Sequence, residues 1–416
     1  MNAQEPFRLR IESAAPCKLC LQYIISLTWH GGNCMFLNSG HWLYNRLPQL
    51  NCSYSSRSVR QYGLFAAAVF AYSICVSCVM LPVKQRAVFT LFVVSIVLYF
   101  PSTVRAVEIV PFYTFNQSPL VQIHGLPPID NARVVPVCRV GGILSADIAN
   151  NFAVDSNSTE RITLDGETYR FVLAARYGFA KGFECGIDIP YVVHGGGFLD
   201  GFIEGFHSFF GFPNGGREDA PRNRLLYEYA VNGSDRLIRN DSVSGLGDIR
   251  ISSAMQLYGK EEGAAVALRA SLKLPTGDSG RLLGSGSTDF AIWFTASEDY
   301  KLPALGHLTG FGAIGGMVMS AGDILKGQQR DLAGFGSLGI GWSPLSWLAL
   351  KVQANGHTSL YQNSSLREIN RSSLQLVSGG TLGLGKNTML DIGVSEDVIV
   401  ETSPDVVFTL TMRTLF

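Results

Sequence analysis

The chain has 416 residues, 47% of them hydrophobic and only 16% charged, with 45 glycines and 25 phenylalanines. No apolar run beyond the first hundred or so residues is long enough to cross a bilayer as a helix, so this apolarity points to strands whose lipid-facing residues are diluted by alternation. The formal net charge of +0 hides two unlike parts: residues 1–106 carry nine Lys/Arg and two Asp/Glu (+7), while residues 107–416 carry 24 and 31 (−7), an acidic body that argues against a nucleic-acid partner.

Near the start, Lys84-Gln85-Arg86, the apolar run Ala87 to Phe100, and Pro101 to Ala106 form the three regions of a secretory signal. Cleavage is expected after Ala106, and Met80 lies four residues before the lysine. Residues 80–106 therefore read as the signal peptide and residues 1–79 as an over-extended gene start. A competing reading takes Tyr62 to Leu81 as a membrane helix behind Arg57 and Arg60. It is disfavoured because residues 1–61 show no sustained periodicity. Six of the eight cysteines precede residue 106, and Cys17-x-x-Cys20 without a second ligand pair is a weak metal or redox signal. Cys138 and Cys185 remain, either paired in an oxidising periplasm or standing as two unpaired small residues.

Residues 107–141 are expected to form a periplasmic or plug segment. From about residue 142 one unit repeats: a stretch of alternating residues, then a cluster of Gly, Asn, Asp, Ser or Pro. Thirteen candidate strands lie between Gly142 and Phe416. A single-chain bacterial barrel takes an even number. The expected fold is therefore all-β, a transmembrane antiparallel barrel of twelve strands with fourteen as the alternative, Asp235 to Asn240 being the strand most easily missed.

Parity assigns the inner wall. It would carry Asp147, Glu184, Asp188, Glu228, Asp289 and Asp391 against Arg170, Arg176, Arg250, Arg269, Lys273, Lys351 and Arg413. The signs nearly cancel and alternate between neighbouring strands at the start, which favours structural ion pairs over a charge-selective filter.

His194 to Arg222 breaks the alternation. Phe198, Phe202, Phe206 and Phe210 recur every four residues beside Leu199 and Ile203, predicting a helical insertion over residues 197–212. Such an insertion can enter the lumen, lie in the outer leaflet or cover the mouth. Phe198, Phe202, Glu204, Phe206 and His207 are its candidate constriction residues. Glu204 and His207 lack a third ligand, so no metal is expected. Ser208 or Ser320 with His207 or His357 would be the only hydrolase pairing, and nothing around them forms a nucleophile motif. No enzyme activity and no cofactor are expected. Lys273 to Asp278 and Gly284 to Asp289 read as a turn and a flexible loop, since no helix follows to make a phosphate cradle.

The stretch Asp405 to Phe416 alternates to its aromatic end, with Phe408, Leu410, Met412 and Phe416 on one side and Thr409, Thr411 and Arg413 on the other. It resembles the C-terminal signal read by the bacterial barrel-assembly machinery, Thr414 being a mild departure. A more specific resemblance rests on Asn116-Gln-Ser-Pro-Leu120, Ile123-His-Gly-Leu-Pro127, Ala149-Asn-Asn-Phe152, Leu164-Asp-Gly-Glu-Thr168, Arg176-Tyr-Gly178, the Gly/Phe stretch Gly195 to His207 and Lys273-Leu-Pro-Thr-Gly-Asp278. Together they resemble a bacterial family known only as a domain of unknown function, over nearly all of residues 107–416. The last turn is also similar to one in outer-membrane proteins associated with phenol degradation. The resemblance implies an outer-membrane barrel and supplies no catalytic or binding residues.

The function expected is passive passage of a small apolar or aromatic solute across the bacterial outer membrane. The alternative is a closed structural or assembly barrel, and a lipid hydrolase stands well behind both. Expected partners are outer-membrane lipid and lipopolysaccharide, the assembly machinery and the solute.

Overall fold

A computed structural model describes residues 107–416 apart from 202–204, 206–219, 261–262, 304 and 399–401. The expected gene-start stretch 1–79 and signal 80–106 lie outside the described residues, as do Phe202, Glu204, Phe206 and His207 of the insertion.

Fifteen strands follow in order: β1 (Val140–Ser156), β2 (Glu160–Ala180), β3 (Phe183–Gly195), β4 (Leu226–Val231), β5 (Ser234–Arg239), β6 (Val243–Leu246), β7 (Arg250–Gly259), β8 (Ala265–Lys273), β9 (Asp289–Leu302), β10 (Gly306–Met319), β11 (Leu332–Leu345), β12 (Leu348–His357), β13 (Ser373–Gly383), β14 (Thr388–Asp397) and β15 (Val406–Leu415). Twelve of them close a ring: β1, β2, β3, then β7 through β15, each antiparallel to its neighbours. The ring shuts where β15 pairs β1 from Gly141↔Leu415 to Asn150↔Val406. A closed ring leaves no unpaired edge, which is what a lipid environment demands of a sheet. The expected twelve-stranded antiparallel barrel is the observed fold.

The additional strands sit at one end. The β2–β3 ladder stops at Glu167↔Gly195. Beyond it, the first residues of β2 pair with β4, which pairs with β5, while the end of β3 pairs with β6. β6 and β7 together make one wall strand interrupted at residues 247–249. The stretch 235–240 is indeed a strand, but it belongs to this hairpin extension and not to the wall.

Alternation decides the two faces. On β9, Asp289, Ala291, Trp293 and Thr295 are buried and Phe290, Ile292 and Phe294 are exposed. The outer face of the wall continues this belt, reaching 70% exposure at Ile314 and 73% at Leu338. So large a contiguous apolar surface is unstable against water and natural against lipid. Phe179, Phe183, Tyr258, Tyr300, Trp342 and Trp347 are exposed near the short turns, forming the aromatic girdle of a membrane interface. The protein is an outer-membrane β-barrel.

The two ends differ in loop length. β2–β3, β11–β12 and β13–β14 are joined by short turns, whereas β3–β4, β8–β9, β10–β11 and β12–β13 are joined by long loops, the last containing the helix α1 (Arg367–Asn370). In barrels of this class short turns face the periplasm and long loops the outside.

Candidate functional site

The lumen is filled by the chain's own residues 107–136. Val107 enters at the β11–β12 turn, where its N–H donates to Ser346 O at 2.8 Å. The segment rises to a turn in which the Val121 and Gln122 amides both donate to Ser118 O. It then descends, and the Cys138 amide reaches Gly178 O just before β1 begins. Asn131 Nδ2 donates to Glu108 Oε1 at 2.8 Å, tying the two legs together near the short-turn end. Cys138 and Cys185 are exposed and are not joined in a disulfide.

A segment with no ladder must find other partners for its backbone. The inner wall supplies them. The Phe112 amide donates to Gln353 Oε1 at 2.8 Å, and the Val134 and Val135 amides donate to Gln256 and Glu184. In the other direction, Lys351 donates to Val110 O, Arg250 to Leu126 O, Arg269 to Asn131 O and Arg413 to Pro111 O. Near the short turns, Arg133 donates to the carbonyls of Lys260 and Gly263 and pairs with Asp299. At Gly341 the inner wall lacks a Cβ because Ile109 of the plug occupies the space where one would stand.

The charged wall residues therefore do two jobs. Some pair across strands: Arg176 with Asp188 at 2.5 Å, Arg269 with Glu184 at 2.9 Å, Lys351 with Asp391 at 2.6 Å and Arg413 with Asp391 at 3.2 Å. Others converge on the plug. Asp130 lies between Arg176 at 3.0 Å, Arg413 at 3.6 Å and Arg269 at 3.8 Å. Parity could not assign Asp130, which belongs to no strand. Nor could it assign the run Phe112 to Phe115. Lys351 lies 4.1 Å from the centre of the Phe112 ring, Arg176 and Arg413 approach the Tyr113 ring, and Arg170 and Arg250 approach that of Phe115.

The loop-side half is different in kind. Phe115, Leu120, Val121, Ile123 and Leu126 of the plug pack with Ile162, Leu164, Tyr227, Tyr229, Trp293, Met317, Phe335, Leu360 and Tyr361 in one apolar cluster. Tyr361 Oη donates to Leu120 O at 2.9 Å, and burial together with nearby Asp289 pushes its phenol above the ordinary value. Lys273 with Asp248 at 2.6 Å and Asp289 at 3.4 Å is the charged node beside this cluster. A cavity of ≈ 20 Å³, room for about one water, lies between the plug and β11–β13, lined by Phe115, Leu126, Ile129, Phe335, His357 and Gln375 among others.

The structure places Arg170, Arg176, Arg250, Arg269, Lys273, Lys351, Arg413, Asp147, Glu184, Asp188, Asp289 and Asp391 on the inner side. Glu228 is a correction. Tyr227 and Tyr229 point inward and are fully buried, while Glu228 faces outward and pairs with Arg161. β4 is not part of the wall, and in an extension bathed by water on its outer side the polar residue takes that side.

Phe198 is a second correction, being half exposed and outside the lumen. The chain leaves the wall beyond the last β2–β3 pair. There the outward-facing Glu167 accepts the amides of Phe198 at 2.7 Å and Leu199 at 2.5 Å, and Tyr169 donates to the same carboxylate at 2.5 Å. Leu199 packs with Val406 against Ile148, Val394 and Phe408 on the outer face of β1, β14 and β15. Asp200 accepts from Asn150 Nδ2 and the Asn223 amide. Phe408, Leu410 and Met412 lie on that same outer face, and the Phe416 amide closes on Val140 O at 2.8 Å.

His357 is occupied on both nitrogens, by Asn116 Nδ2 and Thr358 O, and Ser320 Oγ accepts the Thr288 amide. Neither joins a nucleophile–base pair among the described residues.

Among solved structures, the chain is similar to the COG4313 outer membrane channel from Pseudomonas putida F1, at 12% identity over 70% of this chain and 100% of that one with a TM-score of 0.44. It is also similar to the CymD monoaromatic hydrocarbon channel (9% identity, 74% and 95% covered, TM-score 0.30). A third is the transport unit of the autotransporter AIDA-I from Escherichia coli (9% identity, 67% and 90% covered, TM-score 0.38). At such scores these likenesses carry no argument about solute, and the barrel stands on its own strand pairing. No curated protein matches the chain. The model of the family described as "Protein of unknown function (DUF3187)" matches residues 87–416, and the chain belongs to that family.

Proposed function

We propose that the protein is a plugged outer-membrane channel through which a small apolar or aromatic solute crosses passively, with residues 107–136 as the gate. The observation that carries this reading is the division of the lumen. An aromatic and aliphatic cluster stands at the loop-side mouth, over a plug whose lower legs are held by hydrogen bonds and ion pairs. An apolar solute partitions into the cluster because it leaves water there. The cavity between the plug and β11–β13 is the seam that its entry would widen. A barrel that is only structural has no need of a polypeptide gate tied in place mainly by polar contacts.

The test compares the mature chain with a variant lacking residues 108–136, measuring liposome uptake of a neutral monoaromatic probe and planar-bilayer conductance. We expect solute flux in the parent, and stable conductance steps with faster flux in the variant. If both keep a barrel's heat-modifiable gel mobility and neither passes solute or current, the channel reading is wrong and the closed structural barrel replaces it.

A further inference from the structure

Arg170 of β2 and Arg250 of β7 face the same plug residue, their guanidinium carbons 5.0 and 5.9 Å from the centre of the Phe115 ring. Arg250 is supported by Asp188 at 3.6 Å and donates to Leu126 O, but its Nε is buried without an acceptor. Arg170 is 6% exposed and makes no hydrogen bond or ion pair with the described residues. Asp147, its register partner on β1, is instead engaged by Thr114 at 3.1 Å and Thr409 at 2.7 Å. Both arginines line a cavity of ≈ 10 Å³ together with Gln122, whose buried Nε2 has no acceptor either. Lys273 also lines it, but is matched by Asp248.

Arg170, Arg250 Nε and Gln122 Nε2 offer donors to this cavity, while His124, which also lines it, has a buried Nδ1 without a hydrogen-bond partner; among its charged residues Arg170, Arg250 and Lys273 outnumber Asp248. Buried donors and unpaired buried cations are both costly. Water could accept the hydrogen bonds but would add no negative charge beside Arg170, whose register partner Asp147 is already engaged by Thr114 and Thr409. An anion does both. The volume admits an occupant about the size of one water, which suits a monatomic ion and is tight for sulfate or phosphate.

We propose that the Arg170–Arg250–Gln122 cavity binds a single halide-class anion that pins the plug to the wall. Gln122 comes from the plug turn and the arginines from the wall, so the anion links the two. The inference concerns how the plug is held, and stands whether or not a solute passes.

The test uses the full mature barrel in detergent, titrating sodium chloride against sodium gluconate at constant ionic strength and reading the unfolding midpoint by heat-modifiable gel mobility. Crystals soaked in bromide are measured at the bromine edge. We expect a saturable rise of the midpoint with chloride, its loss in Arg170→Gln and in Gln122→Leu, and an anomalous peak between the two arginines. Gln122→Leu serves as the second variant if Arg170→Gln does not fold. A midpoint indifferent to chloride, a response of equal size in the variants, or bromide found only elsewhere would overturn the proposal.

Discussion

Asp391 lies between Lys351 and Arg413, and the Lys351–Asp391 pair is fully buried at 2.6 Å, with Thr381 donating to the same carboxylate. Removing Asp391 alone leaves Lys351 charged and unpaired in a dry interior, at a cost of about 3–5 kcal/mol, while Arg413 keeps Asp130 at 3.6 Å. Asp391→Asn is therefore expected to lower the unfolding temperature in a heat-modifiability assay far more than Lys351→Met combined with Asp391→Leu, and equal losses would show that the pair is not the cause. Gly125 gives a finer probe of the gate. Its amide donates to Asp289 Oδ2 at 2.7 Å, and an added Cβ would stand 2.6 Å from Asp289 Cβ. Gly125→Ala must push the plug turn from the wall. We expect an intact barrel with more frequent current steps than the parent, and a variant as quiet as the parent would argue against gating by the plug. Both residues show the limits of parity. It could turn Asp391 inward, because strands have a period of two, but it said nothing about Gly125, whose role depends on Asp289, far away in sequence.

At the scale of elements, the β2–β3 boundary decides on which side the chain leaves the wall at Phe198 and Leu199. The ladder ends at Glu167↔Gly195, and the carboxylate of Glu167 caps two amides at the start of the insertion on the outer side. Glu167→Ala removes those acceptors and leaves both amides without a partner, a loss on the order of 1–3 kcal/mol locally. The wall ladders are untouched, so the barrel should remain folded while trypsin cuts after Arg222 faster than in the parent. Unchanged cleavage would mean that the contacts of Leu199 and Asp200 hold the insertion by themselves. The four-residue recurrence of phenylalanines marked this stretch as different from the ladder. It could not decide between lumen and outer face, since an apolar stripe is equally content against lipid or inside a mouth.

For the whole molecule, the asymmetry of turns and the aromatic girdle orient the barrel. A peptide tag inserted after Gly280, in the β8–β9 loop, should bind antibody on intact cells, and one after Pro303, in the β9–β10 turn, only after permeabilisation. The reverse labelling would invert the orientation and, with it, the assignment of the apolar cluster to the outer mouth. The same architecture explains why the inner wall is charged on nine of its twelve strands. Those side chains serve an irregular segment that forms no strand ladder of its own, so the balance of charges reflects a plug and not an ion filter.

The strand ladder, the inner and outer parity and the number of wall strands were legible in the sequence because they depend on local alternation and turn chemistry, which each stretch carries by itself. The filling of the lumen by residues 107–136, the anchoring role of Asp130, the inward turn of Tyr227 and Tyr229 and the outward exit of the insertion were not. Each depends on which distant segments closure of the barrel brings face to face, and residues with no periodic partner acquire their surroundings only when the ring is shut.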